Sequence, residues 1–517
     1  MKNDQNLLRC ISRRSVMIGS AVSVGALALA RHLGLQAEEN KRSKSLNLLI
    51  IHTDEHSFRT LGCYRKHLQE NQANVWGKSV ALETPNLDWL AQNGAIATRC
   101  YAASPVCTPS RASFLTGCYP QNTGAIMNND TLRDDIKSFG DAFIEQGYVT
   151  GYLGKLHVNG SARPGWEPER HFGFTDNKYM FNRGHWKQFE DTPEGPRIKT
   201  KDPNNSPTYS VDGADEKSFS TDFLCDRTMD FIKKNKDNPF CCMLSLPDPH
   251  DPNTVRAPYD TMFNNLTFKA PESAQASLEG LPSWAQPEAP QELNKLMSHY
   301  FGMIKCIDDN IGKILAMLRQ ENLLERTAIV FTSDHGDMCG EHGRHNKSIP
   351  LEASSRIPFL LYMPGVIKPN TVVHTVLNTV DFKSTILNLM RLKNNNDEGR
   401  DLSWAFIREN TPDQWENETY LRFGSEKVGT KGKWVAVVTE QHKFILTMDE
   451  IPCLFDLSID PFEVKNLAFD SKYREVVRAC ARKLKSYMAR TKDPIINEKS
   501  IQATLEWAIE GTGSFNL

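Results

Sequence analysis

Two short acidic clusters in this chain of 517 residues stand where chemistry could be done. Asp54-Glu55-His56 closes an apolar run at 46–53, and Asp334-His335-Gly336-Asp337 closes another over Thr327–Ser333. Each run has the length of a buried parallel strand. Ligands of such sheets bind outside the carboxyl ends of the strands, where both clusters sit. Between them lies Cys107-Thr108-Pro109-Ser110-Arg111, whose cysteine is either a reactive group or a small buried hydrophobe. His157 and His250 are two histidines that could take part. Imidazole titrates near neutral pH and can move protons, although a lone histidine is more often structural.

These residues need a scaffold. Phe139, Ala142, Phe143 and Tyr148 mark one helical stripe, and Met297, Tyr300, Phe301, Ile304, Ile307 and Ile311 mark a longer one. Strands alternating with helices predict an α/β fold, a large, mostly parallel central sheet flanked by helices. Residues 160–220 and 250–290, rich in Pro, Gly, Asn and Asp, read as long loops over the sheet edge. After about residue 410 come short alternating runs, 434–438 and 443–446, and a basic amphipathic helix near 473–488. They predict a smaller C-terminal α+β subdomain. The expected division is a segment at 1–37, a catalytic domain at 45–410 and the subdomain at 411–517.

Composition narrows the function only by exclusion. With 39% hydrophobic residues and 61 Lys+Arg against 63 Asp+Glu, the chain is an ordinary globular one. A net charge of −2 gives no reason to expect nucleic acid. Twelve cysteines are too sparse for a disulfide scaffold. At the N-terminus, Ser12-Arg13-Arg14-Ser15 precedes a mildly apolar stretch that is too short to span a bilayer. Paired arginines there predict a cleaved twin-arginine export signal over 1–37. The protein is then bacterial, exported to the periplasm or beyond, with no stable membrane anchor after cleavage.

The tract at 107–111, continued by Leu115-Thr116-Gly117, resembles the sulfatase signature, whose cysteine is oxidised to formylglycine. Further motifs of that family follow the same order: Thr84-Pro85-Asn86-Leu87-Asp88, Gly154-Lys155-Leu156-His157, Pro249-His250-Asp251-Pro252 and Gly340-Glu341-His342-Gly343. Leu454-Phe455-Asp456-Leu457 extends the resemblance towards the C-terminus, so that it covers residues 46–470.

The resemblance implies an alkaline phosphatase-like fold and the hydrolysis of sulfate monoesters, with a carbohydrate as the preferred class. Asp54, Glu55, Asp334, His335 and position 107 would hold Ca²⁺ or Mg²⁺, hard cations suited to oxygen ligands. Arg111 would hold the formylglycine, Lys155 and Lys347 would contact sulfate, and His157 would take a proton from the diol. His250 would assist the leaving oxygen. Glu55 departs from the Asp-Asp common in the family, and Cys118 stands where an arginine is usual. A formylglycine-generating maturation enzyme is the implied partner. The alternatives are a phosphate or phosphonate monoester hydrolase of the same superfamily, and a non-catalytic binder of sulfated glycans if Cys107 is not converted. A loop from Arg170 to Lys187, rich in aromatic and basic residues, could stack on sugars or form a surface cluster.

Overall fold

The structure, a computed structural model, describes residues 45–277, 279–288, 292–394, 397–424 and 432–512. The export signal expected at 1–37 lies outside them. No helix among the described residues is long and apolar enough to cross a membrane.

The main sheet has eight strands: β1 (Asn47–Thr53), β2 (Ala95–Ala97), β3 (Val149–Lys155), β4 (Met180–Phe181), β5 (Phe240–Ser245), β6 (Thr327–Ser333), β7 (Phe359–Tyr362) and β8 (Thr371–Val373). Their spatial order is β8-β2-β7-β6-β1-β5-β3-β4. Central β1 pairs in parallel with β5 and β6, Leu49 lying opposite Cys242 and Ile329. Only β7 runs against its neighbours, pairing antiparallel with β2 and β6. The sheet is therefore mostly parallel, as the apolar runs predict.

All seven residues of β1 are buried, so both faces of the strand are covered. Leu49 and Ile51, two apart and hence on one face, join Ile307, Ile311 and Ile314 in a single apolar cluster. Those isoleucines lie on the long helix Leu293–Gln320, the element expected from its stripe. Burying each such side chain contributes about 1.5–3 kcal/mol. Its Tyr300 also reaches the site, because the Oη donates to the Glu55 carbonyl at 2.7 Å and accepts from the Ser57 amide at 2.8 Å.

The second sheet is an antiparallel meander of β9 (Glu418–Phe423), β10 (Trp434–Thr439), β11 (His442–Thr447) and β12 (Cys453–Asp456). Its strands are buried on both sides. Val435 and Val437 pack with Val477, Ala481 and Leu484 of the helix Arg474–Arg490. Trp434, Ala436 and Val438 pack with Met338, Ile349 and Leu351, from the segment that follows β6. The C-terminal sheet thus braces the loop that leaves the second acidic cluster.

Candidate active site

Four of the strands end at one place. Asp54 follows β1, Asp334 follows β6, Lys155 ends β3, and His250 lies in the loop after β5. The fifth contributor is the helix Cys107–Thr116, all ten residues of which are buried. It closes at Gly117, whose φ of 73° is the left-handed cap that glycine supplies. Its N-terminus, with Cys107 as first residue, points free amides and a positive dipole end into the pocket.

Asp54, Cys107, Asp334 and His335 each offer a ligand atom, and these atoms lie within 4.8 Å of one another. The Cys107 Sγ is 3.2 Å from His335 Nε2 and 3.7 Å from Asp54 Oδ1. His335 donates through Nδ1 to the Gly336 carbonyl at 3.0 Å, which turns Nε2 towards the cluster. Two carboxylates, an imidazole and one further donor at this spacing fit a divalent cation. Oxygen in place of sulfur at position 107 would favour Ca²⁺ or Mg²⁺.

Cations surround this acidic centre. Arg111 donates from Nε to Asp334 Oδ2 at 2.8 Å, while its Nη2 lies 3.2 Å from Asp54 Oδ2. Its Nη1 donates to the Lys155 carbonyl and to Ser245 Oγ, both at 2.8 Å. Lys155 Nζ pairs directly with Asp54 Oδ2. Burial alone would raise the Asp54 carboxyl, but Lys155 and Arg111 hold it well below its ordinary range. Asp334 is pushed up by burial and by the neighbouring charge of Asp54. Burial and Asp54 oppose a thiolate at Cys107, yet Lys155, Lys347 and His335 outweigh them and lower its pKa.

Lys155 owes its position to Gly154. A Cβ there would stand 1.8 Å from the Ser245 carbonyl oxygen, and the residue has φ of +107°. Only glycine lets β3 approach β5 at this point, which is the physical content of the Gly-Lys pair.

Glu55 goes another way. It sits at φ 63°, a left-handed conformation unusual for glutamate, and its amide donates to Asp334 Oδ1 at 3.1 Å. Its carboxylate pairs with Lys347 at 2.8 Å and with His250 Nε2 at 3.0 Å, outside the four-residue cluster. Those contacts bear on proton transfer. Burial would lower the His250 pKa, but Glu55, Asp54 and Asp251 raise it to about 10. His157, also at positive φ, is pushed the other way, down to about 4, by burial and by Lys155. Its two ring nitrogens are buried without hydrogen-bond partners.

All the residues singled out in the sequence therefore converge, except the outer histidines. His342 Nε2 donates to the Phe462 carbonyl at 2.7 Å and holds its loop, while the His345 amide is bound to Glu288. One member of the site carries no motif. His185 lies 2.6 Å from Lys155 Nζ and 3.8 Å from Asp54, with its ring stacked 3.5 Å from that of His250. Only its place in the basic aromatic loop marks it in the sequence. Others of that loop turn inward: Trp186, Phe181 and Phe172 are buried, and Lys187 pairs with Asp248 at 2.7 Å.

Known proteins resemble this chain along most of its length. The sulfatase family model matches residues 47–392, and that of the N-sulphoglucosamine sulphohydrolase C-terminal region matches 340–490. An ulvan-active sulfatase of Formosa agariphila is 28% identical over 424 residues, covering 80% of this chain and 77% of its own length. Two solved structures share the fold. One is a complex with D-glucosamine-2-N,6-O-disulfate, with TM-score 0.72, 21% identity, and coverage of 88% of this chain and 100% of that one. The other is the phosphonate monoester hydrolase of Agrobacterium radiobacter, with TM-score 0.69, 21% identity, and coverage of 86% and 96%.

Proposed function

This chain belongs to the sulfatase family, and we propose that it hydrolyses the sulfate ester of a carbohydrate through position 107 and a divalent metal. The observation that carries the proposal is the meeting of Cys107, at the head of a buried helix, with Asp54, Asp334 and His335 between two lysines. In the active protein Cys107 is oxidised to formylglycine, and the Sγ described above stands where one oxygen of the hydrated aldehyde would be. One hydroxyl of that diol would attack sulfur as the ester's S–O bond to the sugar breaks and the alcohol leaves with a proton. Loss of the second hydroxyl's proton would then re-form the aldehyde and expel the sulfate now carried on the first oxygen. Asp54, Asp334, His335 and position 107 would hold Ca²⁺ or Mg²⁺, with Glu55 the remaining candidate, and the ion would neutralise charge on the sulfuryl group.

The protein's own side chains do the rest. Arg111 fixes Asp54 and Asp334 in place, and Lys155 and Lys347 are poised as point charges for sulfate oxygens. His250 keeps its proton at neutral pH, as an acid for the leaving oxygen must. His157 stays neutral, as a base for the diol must. The two imidazoles are driven apart by their surroundings, a pattern that separates acid from base.

The homology to an ulvan-active sulfatase supports a glycan substrate. The proposal extends to export by the signal at 1–37, delivery to the periplasm or beyond, maturation by a formylglycine-generating enzyme, and functional regions at 45–410 and 411–517. Likeness to a phosphonate monoester hydrolase favours one second reading, cleavage of phosphonate esters. The test has two parts. Mass spectrometry of the peptide around Cys107 should show a loss of mass matching conversion to the aldehyde. The same sample should release sulfate from 4-nitrophenyl sulfate with a higher kcat/KM than it shows on a nitrophenyl phosphonate. Full activity with unconverted cysteine would refute the mechanism, and the opposite preference would select the second reading.

A further inference from the structure

Beside the pocket stands a set of side chains that this chemistry leaves unused. His185 faces the catalytic residues with one edge, and its ring centroid is 6.2 Å from that of half-buried Tyr209. Tyr209 in turn packs on buried Trp186, the centroids 4.7 Å apart. Over both rings lies the exposed Arg163 guanidinium, 5.1 Å from the centroid of Trp186 and 5.2 Å from that of Tyr209. It also donates to the Tyr209 Oη.

Among the described residues no carboxylate pairs with Arg163. Three other arginines are taken: Arg111 by Asp334, Arg170 by Asp134 and backbone carbonyls, Arg227 by Asp191. An arginine stacked on two rings has little rotameric freedom left to lose, so it acts as a fixed cation with donors to spare. A guanidinium also matches carboxylate or sulfate oxygens with two parallel hydrogen bonds. The rings of His185 and Tyr209 link Arg163 to His250, with centroids 3.5 Å apart for His185 and His250 and 6.2 Å apart for His185 and Tyr209.

We infer that Tyr209 and Arg163 form a sugar subsite that reads a second anionic group on the substrate. Tyr209 offers its hydroxyl and the solvent-facing edge of its ring to a sugar, and Arg163 receives a carboxylate or a further sulfate near the scissile one. This inference rests on the reading of the pocket as a sulfate ester hydrolase. A chain of nearly balanced charge gives weak long-range attraction to polyanions, so a local cation has to supply the preference.

The experiment uses the full chain and three probes: a monosulfated disaccharide bearing a uronic acid, its carboxyl-reduced counterpart, and a hexosamine with two sulfates. Binding is measured by calorimetry with Cys107→Ala protein, with and without Arg163→Met, and turnover with the converted enzyme. Arg163→Met should weaken binding of a doubly charged probe about 10- to 100-fold more than that of the reduced one, with the turnover loss in KM rather than kcat. A loss confined to the uronate assigns a carboxylate, and one confined to the disulfate assigns a sulfate. Arg163→Gln should behave alike, and unchanged melting temperatures exclude misfolding. Equal binding changes for charged and reduced probes would overturn the subsite. Arg163-dependent binding without sulfate release from any probe would uphold the subsite and overturn the hydrolase reading instead.

Discussion

The catalytic pocket and the joint between the two sheets both bury charge, but they dispose of it differently. At the joint, Lys443 of β11 lies 2.9 Å from Glu352 and 2.8 Å from Glu463, and donates to the Pro350 carbonyl at 2.9 Å. Glu352 also receives Tyr101 Oη at 3.2 Å and Arg356 at 3.3 Å. Each charge there is answered by another part of the chain. In the pocket, Asp54 is crowded by Lys155, Arg111 and His185, while one Glu55 oxygen and both His157 nitrogens are buried without a hydrogen-bond partner. Buried polar atoms are nearly always satisfied in a folded protein. Such atoms occur elsewhere too, Glu352 Oε1 and Glu463 Oε1 among them, but those two face the Lys443 ammonium, whereas the His157 nitrogens beside the metal-ligand cluster are in no ion pair among the described residues and can meet a bound group.

If that contrast is right, pocket residues should govern turnover and joint residues stability. Cys107→Ala should show the largest effect, sulfate release at the uncatalysed background with an unchanged melting temperature, and near-normal turnover would sink the assignment. His250→Ala comes next. A sugar leaves as a poor alkoxide and a nitrophenol as a stabilised anion. Loss of the acid should therefore cost about 10²–10⁴-fold in kcat/KM on a sugar sulfate and noticeably less on 4-nitrophenyl sulfate. Equal losses on the two esters would make His250 a sulfate-binding or shaping residue.

Metal affinity should then separate the two acids. Asp334→Asn should cost more than the ~10–100-fold typical of a residue that only supports a ligand, and Glu55→Gln should fall within it. Titration of chelated protein with Ca²⁺ and Mg²⁺ measures both, and the reverse order would bring Glu55 into the coordination sphere. At the joint, Lys443→Met strands two buried carboxylates and should cost about 3–5 kcal/mol of stability, read by denaturant unfolding, with kcat of the folded enzyme retained. A loss of kcat larger than the loss of folded protein would erase the distinction between the two regions.

Acid gives the smallest effect. Burial would raise the Glu352 carboxyl, but Lys443 and Arg356 hold it at about 2, below the 4.5 of an ordinary glutamate. A depressed carboxyl adds stability that is complete above pH 4.5 and is lost as pH falls towards 2. Glu352→Gln should flatten that part of the stability profile in thermal unfolding.

The parts legible in the sequence are those with a local cause. A strand buried on both faces must be continuously apolar, so β1 and β6 show themselves, and the acidic residues that follow them land at the sheet edge. The long helix betrays itself by its stripe. By contrast β2 and β7, of three and four residues, owe their existence to pairing across hundreds of residues, as Leu360 opposite Ile96 shows. The runs at 434–438 and 443–446, read as alternating, are covered on both faces by partners distant in sequence. The direction of Glu55 depends on one backbone torsion that its residue type does not announce. His185 enters the site only through space. Its neighbours Trp186 and Lys187, equally plausible sugar contacts by composition, are spent on packing and on Asp248.

The burial of Cys107 has a consequence in time. An enzyme that modifies a side chain has to reach it, and the folded molecule does not offer this one. The cysteine is 1% exposed, and the whole helix it begins is enclosed. On the proposed mechanism, oxidation at this position would have to precede folding, while the tract is still accessible. A twin-arginine route carries proteins already folded, so the chemistry would have to be finished before the protein leaves the compartment that made it. On the same mechanism, a molecule that folded first would be sealed with its thiol inside, sound in structure and without turnover.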